Sequence, residues 1–141
     1  MAAQFDDSSW PIVVVTTPKY VMLPDEHSEY LDRLSSYHER GQFFGFVFDV
    51  RLSPAPPAEQ RRQLAERIDR DAATFGRRAP VALVVASAVQ SGVIKVIQWM
   101  LREPHPVHLF TTVEAARAWL ITNWAIKPTG SATESRRPAP P

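Results

Sequence analysis

The sequence predicts a single α/β domain with a parallel or mixed sheet of four to five strands and four helices. Three observations carry that expectation. Val81-Ala-Leu-Val-Val-Ala86 is apolar without alternation, the pattern of a strand covered on both faces. Ser87-Ala-Val-Gln90 follows at once and reads as a helix start, the serine hydroxyl capping and the glutamine reaching back three residues later. The same grammar then repeats: Val107–Phe110 is a short strand and Thr111-Thr-Val-Glu114 offers a second capping box before Ala115–Leu120. Two such units in succession predict a parallel sheet with helices packed on it.

From the N-terminus, residues 1–10 read as a flexible arm in which Phe5 or Trp10 docks onto the body. Pro11–Thr16 is β-branched and apolar, a strand with proline tolerated at its first position. Thr17–Met22 extends that strand past a bulge or forms a separate edge strand. Pro24, Asp25 and Glu26 suit the first turn of a helix whose inward stripe is Tyr30, Leu31, Leu34 and Tyr37, and Gly41 suits its left-handed end. Phe43–Val50 is the most aromatic strand, and Gly45 within it marks a place where another element packs closely.

After the stiff loop Ser53-Pro-Ala-Pro-Pro57, Leu64, Ile68, Ala72 and Phe75 recur on one face of a helix that Gly76 to Pro80 ends. In the next helix Val89, Val93, Val96, Ile97, Met100 and Leu101 form a wide stripe. The last helix carries Ala116, Trp119 and Leu120, with Trp119 expected in the core and Trp99 and Trp124 at the margins of their stripes. The domain is thus expected over 11–124, and 125–141, rich in Pro, Ser, Thr and Arg, reads as a disordered tail.

Composition narrows the function classes. The chain of 141 residues has no cysteine, which excludes a disulfide framework, a thiolate nucleophile and cysteine-based metal sites. The first ten residues lack a basic, apolar leader pattern, and no apolar run approaches the length of a membrane span, so a cytoplasmic protein is expected. Arg61, Arg62, Arg67, Arg70, Arg77 and Arg78 crowd 58–78, but Glu59, Glu66, Asp69 and Asp71 are interleaved among them. With no aromatic platform beside them they read as a solvated face, not as a nucleic-acid site.

No convergent catalytic set stands out. His105 and His108 flank Pro106 without further ligands at metal spacing, and no glycine-rich phosphate loop occurs. Neither a cofactor nor a metal is expected. Asp49, at the carboxyl end of a central strand, sits where α/β sheets place functional groups. Ala86-Ser87-Ala88 lacks the glycines of a nucleophile elbow, which leaves Ser87 as a cap.

The stretch Val81–Gly92, Ile97-Gln-Trp99 and His105–Leu120 resembles the SpoIIAA-like branch of the STAS-like, anti-sigma-factor-antagonist proteins. The match is most specific at Phe110, Glu114, Ala115, Ala116, Trp119 and Leu120, and in element order it covers about 11–121. The resemblance implies a bacterial regulatory domain that docks to a protein partner. In the antagonists a serine at the helix start after a central strand is phosphorylated. That position maps to Arg51-Leu-Ser53, where Ser53 is the nearby hydroxyl but the family's acidic and glycine neighbours are missing.

The expected function is a non-enzymatic interaction module. Its surfaces are Arg51 and Ser53 in the 51–57 loop, Ser87 and Ser91 at a helix start, the basic face of the helix after Pro57, and Ile94 and Trp99 on an apolar helix suited to homodimer formation. The opposed class is a small enzyme or a small-molecule or lipid carrier using the strand ends near Asp49, Ser87 and His108.

Overall fold

The computed structural model describes residues 2–128. Its elements run β1 (Gln4–Ser9), β2 (Ile12–Thr16), α1 (Pro24–His38), β3 (Gly45–Asp49), α2 (Ala58–Phe75), β4 (Val81–Val84), α3 (Ala88–Met100), β5 (Val107–Phe110) and α4 (Val113–Trp124). The five strands form one mixed sheet in the order β1-β2-β3-β4-β5, with β1 antiparallel to β2 and all other pairs parallel. This is the α/β class expected from the capped strand–helix units.

Strands laid down in one direction with right-handed crossovers place their connecting helices on one face. Accordingly α1, α2 and α3 share a face, and α4, which follows the last strand, covers the other. Strand alternation divides the core in two. Val13, Val15 and Phe46 meet Tyr30, Leu31, Leu34 and Tyr37 of α1. Ile12, Val47, Ala82 and Val84 meet Ala116, Leu120 and Ile126 on the opposite side. Gly45 explains how closely α4 lies: a Cβ there would stand 2.8 Å from Leu120 Cδ2 and 2.9 Å from Ile126 Cδ1.

Several expectations are corrected. Residues 4–9 are an edge strand, not an arm, because Phe5 packs on Tyr30 and Tyr37 while Asp7 pairs with Arg40 at 2.9 Å. The extra strand therefore precedes β2, and 17–23 is a loop. The left-handed Gly41 lies beyond α1, which closes at Glu39 with right-handed geometry. Thr112, not Thr111, caps α4 by accepting from Ala115 N at 3.1 Å, so Glu114 does not close a capping box. Ile126 is 3 % exposed, so the folded body extends past 124; of the expected tail, 129–141 lies outside the described residues.

Candidate functional site

The face beneath α3 differs from the rest of the sheet. Six residues of α3 are only half buried and none is fully buried, although the helix is strongly apolar. Below it Val81 and Leu83 of β4 and Val107 of β5 are also only half buried. Between these surfaces lies a cavity of about 450 Å³. Its walls come from α1, α2, α3, the sheet and the loops 17–23 and 50–57. The apolar stripe of α2 (Leu64, Ile68, Ala72) and the inner stripe of α3 (Val93, Ile94, Ile97) face this space.

Polar contacts hold α3 over the cavity at its two ends. At its start, Ser87 Oγ accepts from Gln90 N at 3.2 Å. The Gln90 side chain accepts from Ala86 N at 2.7 Å and donates to Val50 O at 2.7 Å and Arg51 O at 3.1 Å, stitching the helix to the loop after β3. Just past its end, the Arg102 amide donates to both Asp69 carboxylate oxygens, at 3.2 and 3.1 Å. The helix is pinned at its ends and apolar in between.

Polar groups stand at both extremities of the cavity, and Gln60, Arg67 and Gln98 also line it. At the carboxyl ends of the strands, Ser53 Oγ donates to Pro18 O at 2.7 Å and makes a short contact with Thr17 Oγ1. At the other extremity stand His38, Asp71, Arg77 and His105. Asp71 is buried and accepts from Ser35 Oγ at 2.8 Å. His105 Nε2 faces Ala79 O at 2.7 Å, and burial holds its pKa down at about 4, so the ring is neutral near pH 7. Burial likewise lowers the pKa of His38 and of His27, whose Nδ1 lies 3.0 Å from Gln63 Oε1.

The sequence-predicted residues are scattered relative to this site. Ser53 and Ser87 lie on its rim. Ile94 lines it and is half buried, so it does not belong to an outward strip, whereas Trp99 points away and is 80 % exposed. Ser91 Oγ donates back to Ser87 O at 3.4 Å. Arg51 is occupied with Asp49, its Nε and Nη2 donating to the two carboxylate oxygens at 3.0 and 2.9 Å. That hydrogen bonding from Arg51 holds the Asp49 carboxyl below its usual range.

Asp49, Ser87 and His108 do not converge. His108 occupies the opposite face of the sheet, stacked on Trp119 with ring centroids 5.4 Å apart, and Asp49 is outside the cavity. Nor is the basic segment uniformly solvated. Arg62 pairs with Glu59 and with Glu66, but Arg67 and Arg77 reach the cavity wall. Sequence reasoning missed Arg77 and His38, because their spacing carries no signal of a shared wall. Among the described residues no cluster of His, Asp or Glu is placed to hold a metal, and no helix is long and apolar enough to cross a membrane.

Comparison of the chain with protein-family models, with curated proteins and with solved structures found no match.

Proposed function

We propose that this chain is a non-enzymatic, SpoIIAA-like binding module of the cytoplasm whose cavity takes a small apolar molecule. The single observation that carries the reading is the cavity of about 450 Å³ under α3, within the size range of ligand pockets. Apolar surface left half-wet beneath a pinned helix forfeits burial energy of about 25 cal/mol per Å². An apolar guest recovers that energy. The SpoIIAA-like assignment is supported by the residues of the 107–120 unit and by a five-stranded sheet with four helices.

The test is saturable binding of a neutral fluorescent naphthylamine, displaced by decanol. Ala72→Trp, which projects an indole into the cavity, should abolish binding while leaving the circular dichroism spectrum unchanged. Absence of binding, or equal binding by the parent and Ala72→Trp, would overturn the reading.

A second reading, docking through the outer side of α3, is favoured by its own observation. Val89, Val96, Trp99 and Met100 lie along one exposed side of the helix, with Val89 and Trp99 exposed by 73 % and 80 %. Exposed apolar stripes of this kind mark interfaces, and here the occupant proposed is a second copy of the chain. Light scattering should give twice 15.9 kDa for the parent and the monomer mass for Trp99→Asp. A monomeric parent at micromolar concentration ends that reading. A phosphate on Ser53 would replace the hydroxyl hydrogen that Pro18 O accepts, so it would break that bond at the rim of the cavity.

A further inference from the structure

We infer that β5 is an assembly edge: the β5 strands of two copies of this chain pair antiparallel about a twofold axis at Leu109, joining their two sheets into one. The inference rests on the second reading above, a dimer on the α3 side, and adds the main-chain geometry that seats it.

The direction of the main-chain groups on β5 follows from its ladder with β4. Val81 N donates to Pro106 O at 2.8 Å, and Val85 N donates to Phe110 O at 2.9 Å. Along a strand, alternate residues turn their main-chain groups to the same neighbour. Pro106, His108 and Phe110 therefore face β4, and the N–H and C=O groups of Val107 and Leu109 point the other way. β5 is the last strand of the sheet, so among the described residues no strand answers them. Leu109 is 37 % exposed, which leaves this row open to an approaching chain.

The sheet's other edge is guarded. β1 carries Asp6 and Asp7, and its register shifts between Asp6 and Ser9, two features that deter strand addition. β5 has neither: Val-His-Leu-Phe holds no carboxylate, lysine or arginine, and its register against β4 is unbroken. A contact of β5 with β1 of another copy would meet those guards and repeat head to tail. Pairing of β5 with β5 avoids them and closes after two copies.

An axis at Leu109 makes the strand complementary to itself. Leu109 opposes its own counterpart and the two exchange both outward main-chain hydrogen bonds. Opposed side chains share a face of the sheet, so Val107 meets Thr111 of the second copy on the α3 face and His108 meets Phe110 on the α4 face. His108 and Phe110 already flank Trp119, with ring centroids 5.4 and 5.7 Å from it, and the pairing continues that aromatic cluster across the axis. On the α3 face, α1 packs on β2 and β3, and α2 touches both α1 and α3. That order makes α3 the helix nearest the open edge, with its exposed strip of Val89, Val96, Trp99 and Met100 beside the joined strands.

The experiment measures mass by light scattering on the full chain at micromolar concentration. The parent should give twice 15.9 kDa. Leu109→Pro removes an N–H that bonds nothing within the chain, so the circular dichroism spectrum should hold while the mass falls to that of the monomer. Leu109→Lys sets two cations opposite each other on the axis and should do the same. Leu109→Cys introduces a thiol into a chain that has none, and mild oxidation should link two copies, because the opposed Cα atoms of such a pair lie about 5.5 Å apart. A dimeric parent whose Leu109→Pro and Leu109→Lys variants stay dimeric, or whose Leu109→Cys variant does not cross-link, would overturn the inference and leave the α3 dimer standing. Should Leu109→Pro fail to fold, Leu109→Lys decides. A monomeric parent ends both readings.

Discussion

The two faces of this sheet are built from similar residues and packed in opposite ways. On the α4 face a glycine removes its side chain so that Leu120 and Ile126 can settle onto β3, and Ala116 and Leu120 are wholly buried. On the α3 face a helix richer in apolar residues buries none of them completely. Apolar content alone therefore does not close a core. Closure needs a small residue opposite each large one, whereas α3 is fixed at its ends by Gln90 and Asp69, with Leu64, Ile68 and Leu83 left facing empty space. One face is closed and the other encloses a cavity.

The largest effect should come from cutting into the closed face. Leu120→Ala removes a fully buried side chain and is expected to cost about 2–5 kcal/mol in urea unfolding. Ile97→Ala on α3, half buried against the cavity, should cost less than about 1 kcal/mol. Equal losses would erase the distinction between the faces.

Acid should weaken the fold through the histidines of the cavity's end. Unfolded His105 takes up its proton near pH 6.5 and the folded residue only near 4. A depressed histidine pKa leaves stability intact above pH 6.5 and removes it as pH falls from 6.5 to about 4, by at most about 3 kcal/mol from this residue. His38 and His27 shift in the same direction. His105→Gln should flatten the slope of unfolding free energy across that window, and an unchanged slope would contradict the assignment.

Smaller effects sharpen the comparison. Gly45→Ala drives a methyl against Leu120 and Ile126 and should cost about 1–3 kcal/mol. Ser87→Ala, which removes the cap of α3, should cost about 1 kcal/mol and raise the mobility of that helix specifically.

Much of this architecture was legible in the sequence. The β4-α3-β5-α4 order, the inward stripe of α1, the Ser87 cap and the close approach at Gly45 all follow from local chemistry. β1 was not legible, because Gln4-Phe-Asp-Asp-Ser-Ser9 has low strand propensity. Its strand is imposed by Phe5 on two tyrosines and by Asp7 on Arg40, contacts about thirty residues away in sequence. The cavity was hidden for a related reason. A wide apolar stripe on α3 shows which residues avoid water but not how far the helix stands from the sheet. Arg77 looked like one more surface arginine until the fold turned it toward His38.

Amide hydrogen exchange, followed on α3 and α4 with and without decanol, tests the difference between the faces most directly. The expected result is that α4 amides exchange only through global unfolding, that α3 amides exchange much earlier, and that decanol slows α3 while leaving α4 unchanged. Equal protection of the two helices without decanol, together with no response of α3 to it, would contradict the account.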